Sequence, residues 1–257
     1  MGINIKVWTI NWKFQQMSRY LDLIQGAFSQ NWNETEKTYD EKMSIQVEEE
    51  EYYLLEDHYT DKFIEIGRDF PNLLFSSFII TWYAFVEQQL AKLCDSFKSD
   101  ILELDSNRQD KGIRRSRKLL LTAAKYEIEA ADWQELIVIG KLRNLLVHNG
   151  NELNGSPFQS GDKEVALVSK TGNTYYFSID PALLIYLQKH ELLEQMNFSL
   201  EILPTLSYCK HLVEFGRSFL IKLQRFARRF GTIERVFHLD SYEALLPRPT
   251  RKNYQYL

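Results

Sequence analysis

The chain has 257 residues, of which 44% are hydrophobic, 14% aromatic and 26% charged, and it contains only 11 glycines and 6 prolines. Few helix-breaking residues and many large side chains favour long, packed helices. The formal net charge of −4 excludes a protein that holds nucleic acid through a general excess of positive charge. Any contact with nucleic acid must therefore be local.

The two cysteines, Cys94 and Cys209, are far apart and have no other cysteines near them. This pattern predicts neither a disulfide framework nor a structural zinc site, and it fits a reducing compartment. Residues 1–14 lack the continuous apolar stretch of a signal peptide, and no segment approaches the roughly 20 apolar residues that span a bilayer. We expect a cytoplasmic protein without membrane contact.

The first predicted elements follow the spacing of apolar residues. The alternation of Ile3, Ile5 and Val7 predicts a short strand, followed by a helix over residues 18–29. Residues 34–67 are charged, with apolar side chains three and four positions apart, which predicts an amphipathic helix that ends near its final glycine.

The segment after Pro71 is the most apolar of the chain. Within residues 73–97, the stretch from Phe78 to Val86 is apolar on nearly every side, which predicts the central helix of a bundle. Glu87 is the only charge between Leu73 and Ala91. A buried carboxylate in such a helix is costly unless it has a partner.

Residues 105–118 hold the strongest local concentration of positive charge. Its cationic residues are Arg108, Lys111, Arg114, Arg115, Arg117 and Lys118. They form either a solvated surface or a phosphate-contacting surface that binds RNA, and the sequence leaves both interpretations open. Helices are predicted next, over residues 119–130 and 133–148, with Asn149-Gly150 as the stop signal of the second.

The C-terminal part is predicted to form a β-hairpin and further helices. Alternating apolar residues on both sides of a turn-forming segment predict the hairpin over residues 163–179. Asp180 is expected to cap a helix with Pro181 in its first turn. Residues 198–230 are predicted to continue as a helix that tolerates one proline, and residues 246–257 as a weakly ordered tail.

These elements together predict an all-α fold, an antiparallel helical bundle with a small inserted β-hairpin. No internal repeat and no long linker divides the sequence. We therefore expect a single domain over residues 1–257, with its core at about residues 34–230.

Motifs for metals and nucleotides are incomplete. The sequence has no glycine-rich phosphate-binding loop and no HExxH. His190-Glu191-x-x-Glu194 lacks a second histidine and is interpreted as ordinary helix surface. Cys209 and His211 are two positions apart, which places them on different faces of a helix. Neither fragment predicts a metal site, and no cofactor is expected.

One segment, KLRNLLVHNG at residues 141–150, combines an arginine, an amide and a histidine at a predicted helix end. Asn144 and His148 are one turn apart and face the same way, whereas Arg143 lies about 100° round the axis and must bend toward them. The negative end of the helix dipole favours a protonated imidazole, and imidazole exchanges protons near neutral pH. His148 therefore suits general acid or base catalysis.

This signature, with the preceding apolar helix at residues 78–93, resembles the HEPN superfamily, whose members share Arg-polar-x-x-x-His at the end of a bundle helix. The resemblance covers about residues 70–230. It implies a helical bundle that dimerises and brings two signatures to one groove, and many members are RNA-cleaving toxins, phage-defence effectors or CRISPR-associated nucleases. The hairpin departs from the general family pattern and leaves the subfamily open.

The resemblance implies a metal-independent endoribonuclease that uses the 2′-hydroxyl of RNA as the nucleophile. We assign proton transfer to His148, stabilisation of phosphate charge to Arg143 and orientation by hydrogen bonding to Asn144. Glu87 is the expected supporting partner of Arg143 or His148. The implied partners are RNA, a second copy of the chain, and an antitoxin or another protein of a defence complex.

Two other interpretations stay open. In the first, Arg143 pairs with Glu87 only to hold the bundle together, and His148 merely caps a helix. In the second, the bundle has kept the signature but binds nucleotide, RNA or a partner protein without cleaving RNA.

Overall fold

The computed structural model describes residues 5–45, 48–95, 112–150, 153, 163–168, 174–195 and 200–229. Its helices are α1 (Ile5–Met43), α2 (Glu49–Ile64), α3 (Phe70–Asp95), α4 (Gly112–Ala123), α5 (Ala130–Asn149), α6 (Pro181–Lys189) and α7 (Leu206–Arg229). Its strands are β1 (Lys163–Val168), β2 (Thr174–Ile179), β3 (Leu193–Gln195) and β4 (Leu200–Ile202). The prediction of an all-α helical bundle with a small β-hairpin is confirmed.

The predicted N-terminal strand is wrong, because α1 already begins at Ile5 and Ile3 lies outside the described residues. The helix buries Ile10, Phe14 and Leu21, whose spacings of four and seven place them on one face. This longer helical pattern overrides the short alternation that precedes it.

The predicted helix end at Gly67 is also wrong. Residues 65–69 form a π-helical turn that joins α2 directly to α3. In an α-helix the ring of Pro71 would clash with the carbonyl of Gly67, four positions earlier, and the wider turn relieves that clash. A Cβ atom at Gly67 would lie 2.9 Å from Cζ3 of Trp32 in α1, so the glycine permits close packing there.

Helix α3 is the predicted central helix. The side chain of Trp82 is fully buried, and a Cβ at Gly216 of α7 would lie 2.7 Å from its Cζ2 atom. A Cβ at Gly140 of α5 would lie 2.5 Å from the hydroxyl oxygen of Tyr83. Glycines therefore let α5 and α7 approach α3 closely. Among the described helices, none combines the length and the apolar character that a membrane span requires.

The two predicted helices after residue 118 both begin earlier than predicted, at Gly112 and at Ala130. Helix α4 ends at Ala123, ahead of a non-helical stretch in which Lys125 has a positive φ of 51°. Helix α5 begins at Ala130 and ends where the sequence indicates, because Gly150 has a φ of 64°. Its ψ of −136° differs from the left-handed helical geometry expected of that stop signal.

Strands β1 and β2 form the predicted hairpin, antiparallel with Lys163 opposite Ile179 and Val168 opposite Thr174. Asp180 then caps α6 as predicted, and its carboxylate accepts a hydrogen bond of 3.1 Å from the N–H of Leu183.

The prediction of one helix over residues 198–230 is wrong in its first part. Strand β4 pairs antiparallel with β3, and α7 begins only at Leu206. Leu200 and Ile202 are two positions apart and both buried on one face of β4. A spacing of two is the period of a strand. Pro204, which cannot donate a backbone hydrogen bond, lies before the helix and not inside it.

Contacts divide the chain into two compact units. The first comprises Met1–Gln89 and Ile128–Lys222, and the second comprises Leu90–Glu127 and Leu223–Leu257. The single domain over the whole chain stays a prediction, and the predicted tail at residues 246–257 lies outside the described residues.

The cap of α6 gives a first testable prediction. Asp180 also forms an ion pair with Lys141 of α5, so Asp180→Ala loses a cap and a charge interaction. We expect it to lower the free energy of unfolding by about 1–2 kcal/mol, measured by urea denaturation. Asp180→Asn is the matched control because it keeps a capping oxygen, and it should lose less. Equal stability of the alanine variant and the wild type would contradict this account.

The same pair predicts a pH dependence. Burial raises the pKa of Asp180, but hydrogen bonds from Lys141 and from the backbone outweigh it and leave the pKa below its ordinary value. A lowered folded-state pKa contributes stability above the unfolded pKa, and this contribution disappears as the pH falls through the folded value. The stability difference between wild type and Asp180→Asn should therefore shrink in acid.

Candidate active site

The three predicted catalytic residues lie on the last two turns of α5. Asn144 and His148 are exposed, and Arg143 is half-buried. Nη1 of Arg143 donates a hydrogen bond of 2.9 Å to Oδ1 of Asn144. The side chain of Arg143 thus bends toward Asn144, as its position on the helix requires.

Only part of the hydrogen-bonding capacity of the Arg143 guanidinium is used. Its Nε atom is buried and has no hydrogen-bond partner in the described part of the chain. A buried donor without a partner costs about 1–3 kcal/mol. An anionic ligand at this guanidinium would offset part of that cost.

His148 occupies an open position. Its side chain is exposed in the last turn of α5 and makes no hydrogen bond with the residues that the structure describes. Val147 beside it is also exposed, with 45% of its surface accessible. No described residue occupies either ring nitrogen of His148.

Among the described residues, Glu87 makes no polar contact with Arg143 or His148, and its supporting role stays a prediction. Glu87 is half-buried in α3, and within the described ranges no ion pair joins it to Arg143 or His148. Glu87 is not fully buried, so a carboxylate there costs less free energy than one enclosed in the core. The interpretation in which an Arg143–Glu87 pair holds the bundle together consequently has no support in the described contacts.

The predicted RNA-binding residues are only partly described. Arg108 and Lys111 lie outside the described residues. On α4 the exposed members are Arg114, Arg115 and Lys118, whereas Arg117 is half-buried. The opposite face of α4 is buried through Ile113, Ser116 and Leu120. The exposed face of α4 therefore carries several cationic side chains.

A second group of polar side chains lies where the sequence predicted none. It consists of Glu135 of α5, His190 directly after α6, and His211 of α7. Nε2 of His211 lies 2.7 Å from Oε1 of Glu135, and the rings of His190 and His211 have centroids 4.9 Å apart. One potential metal-ligand atom from each residue lies within 4.8 Å of the other two. We call these three residues the Glu–His–His cluster.

Two tyrosines surround the Glu–His–His cluster. The hydroxyl of Tyr186 donates to Oε1 of Glu135 at 3.5 Å, and the hydroxyl of Tyr208 donates to that of Tyr186 at 3.3 Å. The ring of His190 packs 4.4 Å from that of Tyr186 and 5.3 Å from that of Tyr208, centroid to centroid. The cluster is thus held by hydrogen bonds and ring contacts.

The surroundings of the Glu–His–His cluster set its protonation. The hydrogen bond from His211 holds the pKa of Glu135 below its ordinary value. Burial lowers the pKa of His190, and the nearby charge of His211 adds to this effect. Burial raises the pKa of Tyr186 and of Tyr208. Near neutral pH, Glu135 is therefore a carboxylate, His190 is neutral, and both tyrosines remain donors.

The sequence shows this cluster only as separate fragments. The interpretation of the fragment that begins at His190 as helix surface is wrong, because α6 ends at Lys189, Glu191 has a φ of 54° and Glu194 lies in β3. His211 does lie on a different face from the buried Cys209, as its spacing predicts. Glu135 is distant in sequence from both histidines, so only the packing of three helices brings the cluster together.

Similarity to known proteins adds nothing to this geometry, since the chain matches no family model, no curated protein and no solved structure. Its function is therefore inferred from its own residues.

Proposed function

We propose that the chain is a metal-independent endoribonuclease of HEPN type that cleaves RNA by attack of the 2′-hydroxyl, as a toxin or phage-defence effector. The observation that carries this proposal is the hydrogen bond between Arg143 and Asn144, with the exposed His148 one turn further along the same helix. Among the described residues no carboxylate forms an ion pair with Arg143, which supports a role for its charge at a phosphate group.

In the proposed reaction, His148 accepts the proton of the 2′-hydroxyl, and the resulting oxygen attacks the adjacent phosphorus. The bond from phosphorus to the 5′-oxygen breaks, and that oxygen receives a proton from a general acid. The products are a 2′,3′-cyclic phosphate and a 5′-hydroxyl. Arg143 stabilises the charge that develops on the phosphate oxygens, and Asn144 fixes the orientation of the guanidinium.

In an in-line displacement the attacking and the leaving oxygen lie on opposite sides of the phosphorus, so a separate base and acid suit the two proton transfers. Each chain offers one His148 at the signature. We therefore propose that two copies meet at the ends of their α5 helices, where Val147 and His148 are exposed. The partner's His148 would then act as the general acid while the other acts as the base.

Dimerisation is a direct prediction of this composite site. Light scattering at micromolar concentration should give twice the chain mass of 30.5 kDa. A Val147→Glu variant should shift the protein toward the monomer and reduce cleavage together, because it places like charges face to face. A strictly monomeric protein that still cleaves RNA would contradict the composite site.

The cationic face of α4 is proposed to contact RNA backbone. We expect Arg114→Glu combined with Arg115→Glu to weaken RNA binding at low salt by about tenfold or more and to flatten the dependence on salt. Fluorescence anisotropy with labelled RNA over a series of salt concentrations measures both effects. Lys37→Glu with Lys42→Glu on α1 makes the same change of net charge elsewhere, and should have the smaller effect. Equal effects of the two pairs would identify the α4 face as ordinary solvated surface.

Cytoplasmic location and a restraining partner belong to the same proposal. Cys94 and Cys209 are buried and form no disulfide, which fits a reducing compartment. A ribonuclease that acts on cellular RNA also needs restraint, and an antitoxin or another protein of a defence complex would supply it by covering the exposed signature.

The test is to incubate the purified chain with total RNA and with transfer RNA, with and without EDTA. Cleavage that persists in EDTA is the expected result. Cleavage that EDTA abolishes would overturn the metal-independent mechanism and direct attention to the Glu–His–His cluster. No cleavage of any RNA would favour a catalytically silent HEPN-like module that binds nucleotide, RNA or a partner protein.

A further inference from the structure

The Glu–His–His cluster has the composition and the spacing of a metal site. Three residues from separate elements offer one ligand atom each, all within 4.8 Å of one another. An ion pair between Glu135 and His211 would need neither His190 nor the two tyrosines beside it. The third residue and its orientation therefore need a further explanation.

His190 supplies a second and independent observation. Its Nε2 atom is buried and has no hydrogen-bond partner in the described ranges. A buried polar atom without a partner is rare in folded proteins, because it has lost its hydrogen bonds to water. Coordination of a cation by the cluster offers a partner for this nitrogen and explains why a polar ring is retained between two tyrosines.

Tyr186 and Tyr208 are placed like the side chains that orient the ligands of a metal ion. Residues that bind metals are normally oriented by hydrogen bonds from a second layer of side chains. Tyr186 provides such a bond to Glu135, and Tyr208 provides one to Tyr186. The ring contacts of His190 with both tyrosines limit its rotation in the same way.

The distances between the three ligand atoms need only a small adjustment to match those in a zinc site. Zinc bonds of roughly 2.0–2.2 Å in tetrahedral geometry place neighbouring ligand atoms about 3.4 Å apart. The pair of His211 and Glu135 is closer, at 2.7 Å, and all three ligand atoms lie within 4.8 Å. Side-chain movements of roughly 1 Å would therefore bring the three atoms to bonding positions around one ion.

We propose that Glu135, His190 and His211 bind a divalent transition-metal ion of the zinc class, and that the ion joins α5, the end of α6 and α7. Two imidazoles and one carboxylate suit zinc, whereas magnesium and calcium select sites made of oxygen atoms. The side chains of His211 and Glu135 are 39% and 26% exposed, so water can occupy a fourth position. This site is separate from the signature at Arg143 and does not depend on the proposed ribonuclease function.

The experiment uses the full chain after treatment with EDTA and dialysis. Isothermal titration with ZnCl₂ should show saturable binding of one ion per chain. A hundredfold excess of zinc over its Kd should raise the Tm by about 5–10 °C, because the ion binds the folded state. The same concentration of MgCl₂ should leave the Tm unchanged.

Variants assign the binding to the cluster. His190→Asn is the most informative variant, since the Nε2 atom that it removes has no hydrogen-bond partner among the described residues. It should abolish the zinc-dependent rise in Tm. Glu135→Gln also breaks an ion pair and lowers the Tm itself, so the readout is the shift caused by zinc and not the starting value. His58→Asn, at an exposed position of α2, is the matched control and should keep the full shift.

Two results would overturn the site. One is the absence of one-to-one zinc binding by the wild type, and the other is a zinc-dependent shift that survives in His190→Asn. Cobalt(II) added to the wild type gives a measurement that does not depend on the folding of any variant. Visible absorption bands typical of tetrahedral coordination would support the site, and the spectrum of hydrated cobalt alone would contradict it.

Discussion

His148→Ala should abolish RNA cleavage and leave the helical circular dichroism and the Tm almost unchanged. The side chain is exposed at the end of α5 and makes no hydrogen bond with the described residues, so its loss removes little packing. Proton transfer by a positioned side chain contributes roughly 10²–10⁴ to a rate, and in a symmetric dimer the substitution removes both the base and the acid. Cleavage of labelled RNA and thermal melts of the same samples measure the two effects.

The matched control for this substitution is His58→Ala, which removes an exposed helical histidine elsewhere. It should keep full activity. Unfolding of His148→Ala would show that the side chain has a structural role, and undiminished cleavage by a folded His148→Ala protein would remove His148 from the mechanism.

Arg143→Ala should lose cleavage as well, and the structure changes what we expect for its stability. If Arg143 were paired with Glu87, its removal would leave a buried charge without a partner, which is strongly destabilising. Because no such pair is present in the described contacts, and Glu87 is half-exposed, we expect only a small loss of stability. Arg143→Lys keeps the charge but loses the planar, two-pronged donor, and should recover only part of the activity.

The largest expected effect on stability is at Gly216, where α7 meets α3. A Cβ there would lie 2.7 Å from Trp82 and 3.0 Å from Phe14, so these two fully buried side chains would have to shift within the core. We expect Gly216→Ala to lower the free energy of unfolding by about 1–3 kcal/mol despite the better helix propensity of alanine. Urea denaturation measures the difference.

Gly26→Ala in α1 makes the same substitution in open space, since no atom lies within 4 Å of a Cβ at that position. It should stabilise the protein by about 0.5–1 kcal/mol, because glycine is a poor helix former. Opposite signs at Gly216 and Gly26 are the expected result. A stabilising Gly216→Ala would contradict the close approach of α7 to α3.

The helical character of the fold follows from the sequence because apolar side chains recur at helical spacing over long segments, as at Ile10, Phe14 and Leu21 in α1. A short local pattern gives a wrong prediction where it conflicts with a longer helical pattern. The alternation around Ile5 has the period of a strand but is part of α1. Conversely, Leu200 and Ile202 do alternate as a strand, and the long amphipathic helix that follows them conceals this pattern.

The π-helical turn before Pro71 illustrates a different limit. A proline after a glycine predicts a helix end from local chemistry, because an ordinary α-helix cannot accommodate the ring. The chain continues instead through a wider turn, and Trp32 of α1 packs against Gly67 inside that turn. A contact between distant segments thus overrides the local signal.

The two candidate sites also differ in how far the sequence alone reveals them. Arg143, Asn144 and His148 lie within two turns of one helix, so their spacing alone places them near one another. Glu135 and His211 are in different helices, and no spacing rule connects them. Their proximity depends on tertiary packing, which a single sequence does not reveal.

The measurement that tests the ribonuclease most directly compares two versions of the transfer RNA that the chain cleaves best, in the presence of EDTA. One is natural RNA, and the other carries 2′-O-methyl groups in place of the 2′-hydroxyls. The proposed mechanism predicts that the natural RNA is cut to fragments with 2′,3′-cyclic phosphate and 5′-hydroxyl ends, and that the methylated RNA stays intact. Cutting of both RNAs, or of neither, would contradict attack by the 2′-hydroxyl at a site built from Arg143 and His148.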